Sequence, residues 1–411
     1  MFSSTSLGTQ LKHNMMEGLP TRTMSYGDYV GISIPPCGEF KPKDTTSANF
    51  RAPWIKDDQP ISSLHQEIVC FLKYMKPTAQ ELAIRQNVVD RFSKLVVEAT
   101  DSDVRIRPVG SCVTGLFLPT SDIDMVVDLP YSFMHTNFDR LYYAILRSDF
   151  ATTVDYVRRA KTPVIRITDK KTGLDIDLTE AVSHSVRATE AVKKWLKEDS
   201  AGLVRALVIV LKVFLAIRRC GTTYTGGLNS YVLVWMVVAW VKLEWPKVMS
   251  SIRKSASPQT TEDPLALLID SLQSLSVRLD TTGTSSQSTS TVRAVDFGEA
   301  LKAFFKFYGE DFPYRDRAIR IEPTPSYVNK VYNPRTTQRY LLSIFDPADD
   351  SIDMGSKAYG IKHIQQTFKE SYEKLLRLEK LGQANATLSV ILDGDFTRFA
   401  RKRMSLERCE Y

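Results

Sequence analysis

Two short stretches constrain the fold more than any other part of the chain. SDIDMVVDL at residues 121–129 and LDIDLT at 174–179 interleave carboxylates with aliphatic residues. A period of two is the period of a β-strand, whose successive side chains point to opposite faces. Asp122 and Asp124 therefore share one face of the first strand, at the start of the apolar run MVV. Asp175 and Asp177 share one face of the second, with Leu174, Ile176 and Leu178 on the other. VRIRPVG (104–110) and PVIRIT (163–168) are two further strand-like runs, and the polar turn DKKTG joins PVIRIT to LDIDLT. The result is a mixed α/β segment of about 90 residues, an ordinary domain size.

Helical patterns flank it. From Ile61 to Val96 apolar residues recur at spacings of three and four, interrupted near Pro77, so two amphipathic helices precede the strands. After Val186 come RATEAVKKWLKE, LVRALVIVLKVFLAIRR and NSYVLVWMVVAWVKLEW, the start of a mostly helical second domain. The run Val232 to Val241 is too short to cross a bilayer before Lys242 and Glu244 interrupt it, which predicts a buried helix and no membrane partner. Pro246 to Val292 ends in SVRLDTTGTSSQSTSTV, too poor in apolar residues to hold a core, and is expected to be an insertion or loop. A length of 411 residues suits two or three domains.

Composition adds little. An excess of 54 Lys and Arg over 47 Asp and Glu gives +7, a mild bias toward a polyanionic partner. Five scattered cysteines without a CxxC pair encode neither a disulfide framework nor a zinc site. The first 26 residues are rich in Ser and Thr with a single acid, Glu17, as in a mitochondrial transit peptide and equally in an ordinary N-terminal extension.

The chemistry lies in residues 110–124, GSCVTGLFLPTSDID. Two carboxylates this close repel unless a cation lies between them, and hard oxygen ligands suit Mg²⁺ (or Mn²⁺) held jointly with substrate phosphates. Gly110 and Ser111 supply a turn, a hydroxyl and backbone N–H groups for a polyphosphate. A site with two ions needs a third acid, which either Asp175 or Asp177 can provide. An isolated D-x-D is commonplace and is usually a solvated loop or a helix cap. Six fixed positions together (Gly110, Ser111, Gly115, Ser121, Asp122, Asp124), each near roughly 7% usage, would co-occur at a given start only on the order of once in ten million.

G-S-x3-G-x5-S-D-x-D followed about fifty residues later by a strand acid resembles the signature of the DNA polymerase beta superfamily. FLAIRRCGTTYTGGLNSYVLVWMVVAWVKLE is similar to the T-G-G, S-Y segment of RNA-surveillance poly(A) polymerases and terminal uridylyltransferases. IFDPADDSIDMGSKAYGIKHIQQTFKESYEKL is similar to their D-P…D-x-G…S-Y base-pocket segment. The resemblance covers residues 53 to 380. It implies an α+β architecture: a polymerase-beta-like nucleotidyltransferase domain (mixed sheet with helices) plus a mainly helical PAP-associated domain, with the nucleotide site in the cleft between them. The expected division is an N-terminal extension at 1–52, a helical segment at 53–97 packing on the helical domain, and a catalytic domain at 98–185. The helical domain follows at 186–245 and 293–385, with the insertion at 246–292 and a basic tail at 386–411.

The resemblance implies that Asp122 and Asp124 hold two metal ions, and that Asp177, by the family's spacing, holds one of them and helps deprotonate an RNA 3′ hydroxyl. It implies triphosphate contacts for Gly110, Ser111, Ser121, Lys212 and Ser230, stacking of Tyr231 on the base, and Asp353 near the base. Physical alternatives stand beside several of these. Lys212 could snorkel from an apolar helix, Ser230 could cap the following helix, and Tyr231 could be core.

Three positions depart from the family pattern. Ala188 stands where an Asn contacts the ribose or base, so that contact would pass to Thr189. Ala216 stands where a second Lys is common, leaving Arg218 or Arg219 as substitutes. Ser356 replaces an Arg or an acid.

Three functions follow from the resemblance. The first is an RNA uridylyltransferase using UTP, the second a poly(A) polymerase using ATP, and the third a catalytically inactive subunit of an RNA complex. The altered pocket positions, the leader-like N-terminus and the insertion resemble the small terminal uridylyltransferases of trypanosome mitochondria, one of them in an editosome-like complex. On that ground uridylyl transfer to RNA 3′ ends, a mitochondrial location (otherwise nuclear or cytoplasmic) and a multiprotein RNA-processing or editing partner are expected. The RNA path would use Arg158, Arg159 and Lys161, or the RFARKR run at 398–403.

Overall fold

The computed structural model describes residues 29–37, 52–56, 61–100, 104–129, 134–160, 162–180, 183–256, 295–331, 338–382 and 387–409. The expected leader and most of the expected insertion lie outside these. The chain divides into two compact units, one of residues 73–194 with 395–411 and the other of residues 1–72 with 195–394.

Alternating acid and aliphatic residues build the sheet of the first unit. Its strands are β1 (Arg105–Pro108), β2 (Ile123–Asp128), β3 (Ala151–Val157), β4 (Val164–Asp169) and β5 (Asp175–Glu180), in the order β1-β2-β5-β4-β3. Only β2 and β5 run parallel; the other pairs are antiparallel. Ile123, Met125 and Val127 of β2 join Ile176 and Leu178 of β5 and Ile165 and Ile167 of β4 in one core. That core is completed by Ile84, Val88, Phe92 and Val96 of α2 (Ala79–Thr100) and by Phe138, Leu141 and Ile145 of α4 (Met134–Arg147). At roughly 1.5–3 kcal/mol per fully buried aliphatic or aromatic side chain, this face sets the register of the sheet. The opposite face of β2 and β5 is left to the carboxylates.

Between β1 and β2 lies the five-residue helix α3 (Gly110–Thr114), which ends at Gly115 in the left-handed region (φ 70°). Strand β3, with the pattern ATTVDYV, was not anticipated because among its residues only Ala151, Val154 and Tyr156 pack against the core, all of them partly buried. Helix α2 belongs to this unit and its apolar stripe covers the sheet, so of the segment 53–97 expected on the helical domain only residues up to 72 fall in the helical unit. The expected basic tail also contains structure. Helix α12 (Thr397–Glu407) buries Phe399 and Leu406, and Leu406 joins the core of the sheet.

The other unit is mainly helical: α5 (Ser183–Lys197) leads into it, followed by α6 (Leu203–Ile217), α7 (Ser230–Leu243), α8 (Trp245–Ala256), α9 (Phe297–Lys306), α10 (Ile361–Lys380) and α11 (Thr387–Leu392). Helix α1 (Leu64–Met75) starts in it as well. The run read as a buried helix is α7, with Val232 to Trp240 all buried, and no described helix is long and apolar enough to cross a membrane. Helix α8 continues through residues 246–256, so the expected insertion does not begin at 246.

Two small antiparallel pairs, β6 (Arg317–Arg320) with β7 (Ser326–Asn329) and β8 (Phe345–Asp346) with β9 (Asp349–Asp353), went unread because each strand is at most five residues long. Helix α11 is held at both ends by buried charges. Glu67 accepts from Leu388 N (2.6 Å) and Ser389 N (2.9 Å), and Arg218 donates to Ile391 O (2.9 Å) and Leu392 O (3.4 Å). Opposite charges complement the two poles of a helix dipole. Arg218 is therefore spent inside the protein and does not substitute for the missing lysine at Ala216.

Candidate active site

Strand register brings the acids together. In the parallel pair β2–β5, Asp124 lies directly opposite Asp177 and Ile123 opposite Ile176. Asp122, two residues before Asp124, extends the same face. The two acids of β5 differ in their surroundings. Asp175 is exposed and accepts a hydrogen bond from Thr168 Oγ1 (2.8 Å), whereas Asp177 is partly buried beside Asp124, with Arg166 Nε 3.9 Å from Oδ2. Burial first, and then the charge of Asp122, push the Asp177 carboxyl up to about 6.

Among the described residues, no three His, Cys, Asp or Glu side chains stand in a closed metal-ligand set. The donor chemistry nonetheless fits a hard divalent cation: acid oxygens crowded on one sheet face, one of them held above its ordinary pKa by burial and by the charge of Asp122.

The turn before the acids is built around glycine. Gly110 has φ +66°, and a Cβ there would stand 2.6 Å from Asp124 Oδ2, so any side chain would displace that carboxylate. Gly110 N donates to Thr189 Oγ1 (2.9 Å), and the same hydroxyl donates to Ser185 O (2.8 Å). Thr189 is 6% exposed. This corrects the expectation that Thr189 touches nucleotide: its hydroxyl is engaged in holding the turn. Ser111 lies on the first turn of α3, half-buried.

Ser121 closes the loop that enters β2, its hydroxyl accepting from Leu118 N (3.0 Å) and its own N–H donating to Leu118 O (2.8 Å). The loop is clamped from behind by Arg85, which donates to Ser121 O (3.0 Å), Pro119 O (3.1 Å) and Leu118 O (3.4 Å) and lies over the Phe117 ring at 4.4 Å. Arg85 is 2% exposed; Glu81 approaches it at 3.7 Å, and Arg403 approaches Glu81 from the other side at 3.5 Å. Arg403 also donates to Met75 O (2.8 Å) and Lys76 O (3.0 Å). Sequence reasoning missed this cluster. The available signal was a charged pair, Glu81 and Arg85, at four-residue spacing on the same stripe as Val88 and Phe92.

The base-side candidates lie in the other unit. Ser230 is the first residue of α7, and Asn229 is the cap, its side chain accepting from Val232 N (2.8 Å). The capping role considered for Ser230 therefore belongs to its neighbour. Tyr231 is neither free nor fully core: its hydroxyl donates to Asp346 Oδ1 (2.8 Å), and its ring meets Trp235 edge-on at 5.7 Å. Burial first, and then Asp346, push the phenol well above its ordinary pKa, so it remains a donor. Asp346 was not among the expected site residues; Ala348 N also donates to it (2.8 Å).

Asp353 uses Oδ1 to accept from Ile344 N and Gly355 N, both at 3.0 Å. Lys212 is half-buried on α6, on one helical face with Ala216. Ser356 donates to Asp353 O (2.9 Å). Gly227 in the T-G-G turn comes so close to Cys220 O that a Cβ would stand 2.2 Å from it.

A five-stranded mixed sheet with carboxylates paired across parallel strands, entered by a Gly-Ser turn, and a separate helical unit with small β-pairs define a polymerase-beta-like nucleotidyltransferase fold. Parts of the chain match two models of RNA nucleotidyltransferase families. Residues 64–197 match the family model described as "Poly(A) RNA polymerase, mitochondrial-like, central palm domain", and residues 296–352 match "Cid1 family poly A polymerase". It is 26% identical over 346 residues to Poly(A) RNA polymerase CID14 of Cryptococcus neoformans, covering 82% of this chain and 40% of that protein.

The polymerase core of TRAMP, an RNA surveillance complex, has a similar structure, with TM-score 0.63 at 24% identity over 84% of this chain and 99% of that one. The Cid1 poly(U) polymerase is similar at TM-score 0.57 and 21% identity, over 76% of this chain and 94% of that one. The chain thus spans about two fifths of the length of its curated relative.

Proposed function

We propose that this chain is a Mg²⁺-dependent, template-independent nucleotidyltransferase that extends RNA 3′ ends. The observation that carries the reading is the cross-strand pairing of Asp124 with Asp177 beside Asp122 and the Gly110 turn. Asp122, Asp124 and Asp177 would hold divalent ions, which supply charge neutralisation at the α-phosphate and activation of the attacking oxygen. Asp177 would also help to accept the proton of the RNA 3′ hydroxyl. The backbone at Gly110 and Ser111 orients the triphosphate for in-line attack at the α-phosphorus, with pyrophosphate as the leaving group. In the helical unit, the Tyr231 ring, fixed by Asp346, offers a face on which a base would stack.

For the base, ATP is the better-supported substrate. The case for UTP joins the departures at 188, 216 and 356 to the leader-like N-terminus and the insertion; the three positions themselves supply no uracil-reading group, since Ala188 is buried, Ala216 has no polar atom and Ser356 hydrogen-bonds its own turn. The curated relative is named a poly(A) polymerase. Uridylyl transfer is the second reading, supported by the likeness to the Cid1 poly(U) polymerase fold.

The test is single-nucleotide incorporation on a synthetic RNA primer with Mg²⁺ and each of the four NTPs, alone and in competition. Incorporation with AMP preferred, and lost in Asp122→Ala, is the expected result. UMP in preference overturns the base choice, and equal behaviour of wild type and Asp122→Ala overturns the enzymatic reading in favour of a binding subunit.

A further inference from the structure

The reaction proposed above needs an RNA strand whose 3′ end reaches the carboxylates, and the same unit carries one surface suited to a polyanion. The cations of the RFARKR run do not act together. Arg403 is turned inward to Glu81 and to the backbone carbonyls at the end of α1, and Lys402 donates to Gly173 O. Arg398, Arg401, Ser405 and Arg408 are all exposed. Their spacing of three, four and three residues places them in one stripe along α12.

Beside the stripe, Lys171 from the β4–β5 turn joins Arg401, Met404, Ser405, Arg408 and Cys409 around an open depression of about 550 Å³. Among the described residues, none of Lys171, Arg401 and Arg408 is in an ion pair; the side chain of Arg401 donates only to Thr397 Oγ1 (3.0 Å). An ordinary solvated helix face intersperses both signs of charge, which lowers its self-repulsion. Here cations outnumber acids, with Asp149 near Lys171 and Glu407 next to Arg408 as the nearby carboxylates, an excess that a chain of phosphates relieves.

The patch also stands close to the chemistry along the chain. The turn bearing Lys171 runs directly into β5, and six residues separate Lys171 from Asp177, a span of at most about 20 Å. An RNA strand ending at Asp177 would have to run past the start of β5, where Lys171 stands, to bring its upstream phosphates to the stripe.

We propose that Arg398, Arg401, Arg408 and Lys171 form a binding surface for the sugar-phosphate backbone of single-stranded RNA upstream of the 3′ end. The proposal rests on the reading of the carboxylates as a 3′-end-extending site. Its contacts are to phosphates and carry no sequence preference; Met404, 47% exposed, adds an apolar surface beside them.

The test uses the full chain and a fluorescently labelled single-stranded RNA, with anisotropy measured across a salt series. Each phosphate contact contributes about 0.7 to the slope of log K against log salt for single strands, so the triple variant Arg398→Gln, Arg401→Gln, Arg408→Gln should be shallower by about 2. In extension assays the KM for a long primer rises in this variant, while extension of a dinucleotide primer, too short to reach the stripe, stays within twofold of wild type. An unchanged salt slope overturns the proposal, as does an equal loss on both primers. Because anisotropy needs no catalysis, a protein that binds RNA with the expected slopes yet extends no primer would sink the catalytic reading and leave this surface standing. Unfolding temperature checks the fold of the variant, and the single change Arg408→Gln, expected to cost about 0.7 of slope, provides an independent measure.

Discussion

Arg85 is the residue whose removal most directly tests how the catalytic loop is held. It gives three hydrogen bonds to the carbonyls of Leu118, Pro119 and Ser121, the residues that lead into Asp122, and it faces Glu81 in an environment where both are 2% exposed. Arg85→Met keeps most of the stem's volume and its contact with Phe117 but removes the donors and one of the two cations near Glu81. Removing one partner of a buried ion pair costs about 3–5 kcal/mol, because a charge is left uncompensated. Arg403, at 3.5 Å from Glu81, offsets part of this, so the lower end, about 3 kcal/mol, is the expected loss.

Thermal unfolding followed by circular dichroism should show a fall on the order of 10 °C. Once unclamped, the loop should misplace Asp122, and a displacement near 1 Å costs on the order of 10²-fold in rate, measured as single-turnover nucleotide incorporation at saturating Mg²⁺. Adding Glu81→Leu should recover stability, since the orphaned acid is then gone, but not the rate, since the carbonyls remain unclamped. If Arg85→Met unfolds within 2 °C of wild type (well below the change argued above) and turns over at the wild-type rate, the clamp does not exist in the form described.

Two further outcomes follow from the acids and their turn. In metal-free protein the Asp177 carboxyl, raised from 3.8 to about 6, binds its proton more tightly folded than unfolded, so stability falls as pH rises from about 4 to 6. Asp177→Asn should remove that fall and stabilise the metal-free protein at pH 7 by about 2–3 kcal/mol while abolishing turnover; urea titrations at pH 4 and pH 7 that show no difference between the two proteins would refute the assignment. Gly110→Ala places a methyl 2.6 Å from Asp124 Oδ2 at φ +66° and should cost about 1–2 kcal/mol with an activity loss near that of Asp124→Ala; a fully active Gly110→Ala refutes the close approach.

Much of the site was legible because it is written in local patterns. The period of two in SDIDMVV and LDIDLT fixed which side chains are core and which are acid face, since only the aliphatic face can be buried without stranding charge. The Gly-Ser turn was legible because few residues tolerate the left-handed conformation and close approach found at Gly110. Strand β3 was not, because it contributes only partly buried side chains at the edge of the sheet and so shows no clean alternation. Thr189 was misread because a hydroxyl beside an expected contact position looks the same in sequence whether it faces a ligand or, as here, Gly110 N and Ser185 O. The Glu81–Arg85–Arg403 cluster joins residues more than three hundred positions apart, a contact that no local spacing can signal.

The sequence by itself determined the two acids of β2, the presence of a third on a second strand, and the succession of mixed α/β and helical parts, because each depends on periodicity over a few residues. Tertiary structure decided the rest. It set Asp177, already favoured by family spacing, opposite Asp124 across parallel strands and gave Asp175 a bond from Thr168. It drew the expected tail into the catalytic unit through Leu406 and Arg403, and it sorted the arginines of that tail into one buried staple and an exposed stripe. These outcomes depend on which strands pair and which helix covers which sheet, and the free energy of burying a charge or leaving it in water is set by neighbours that lie far away along the chain.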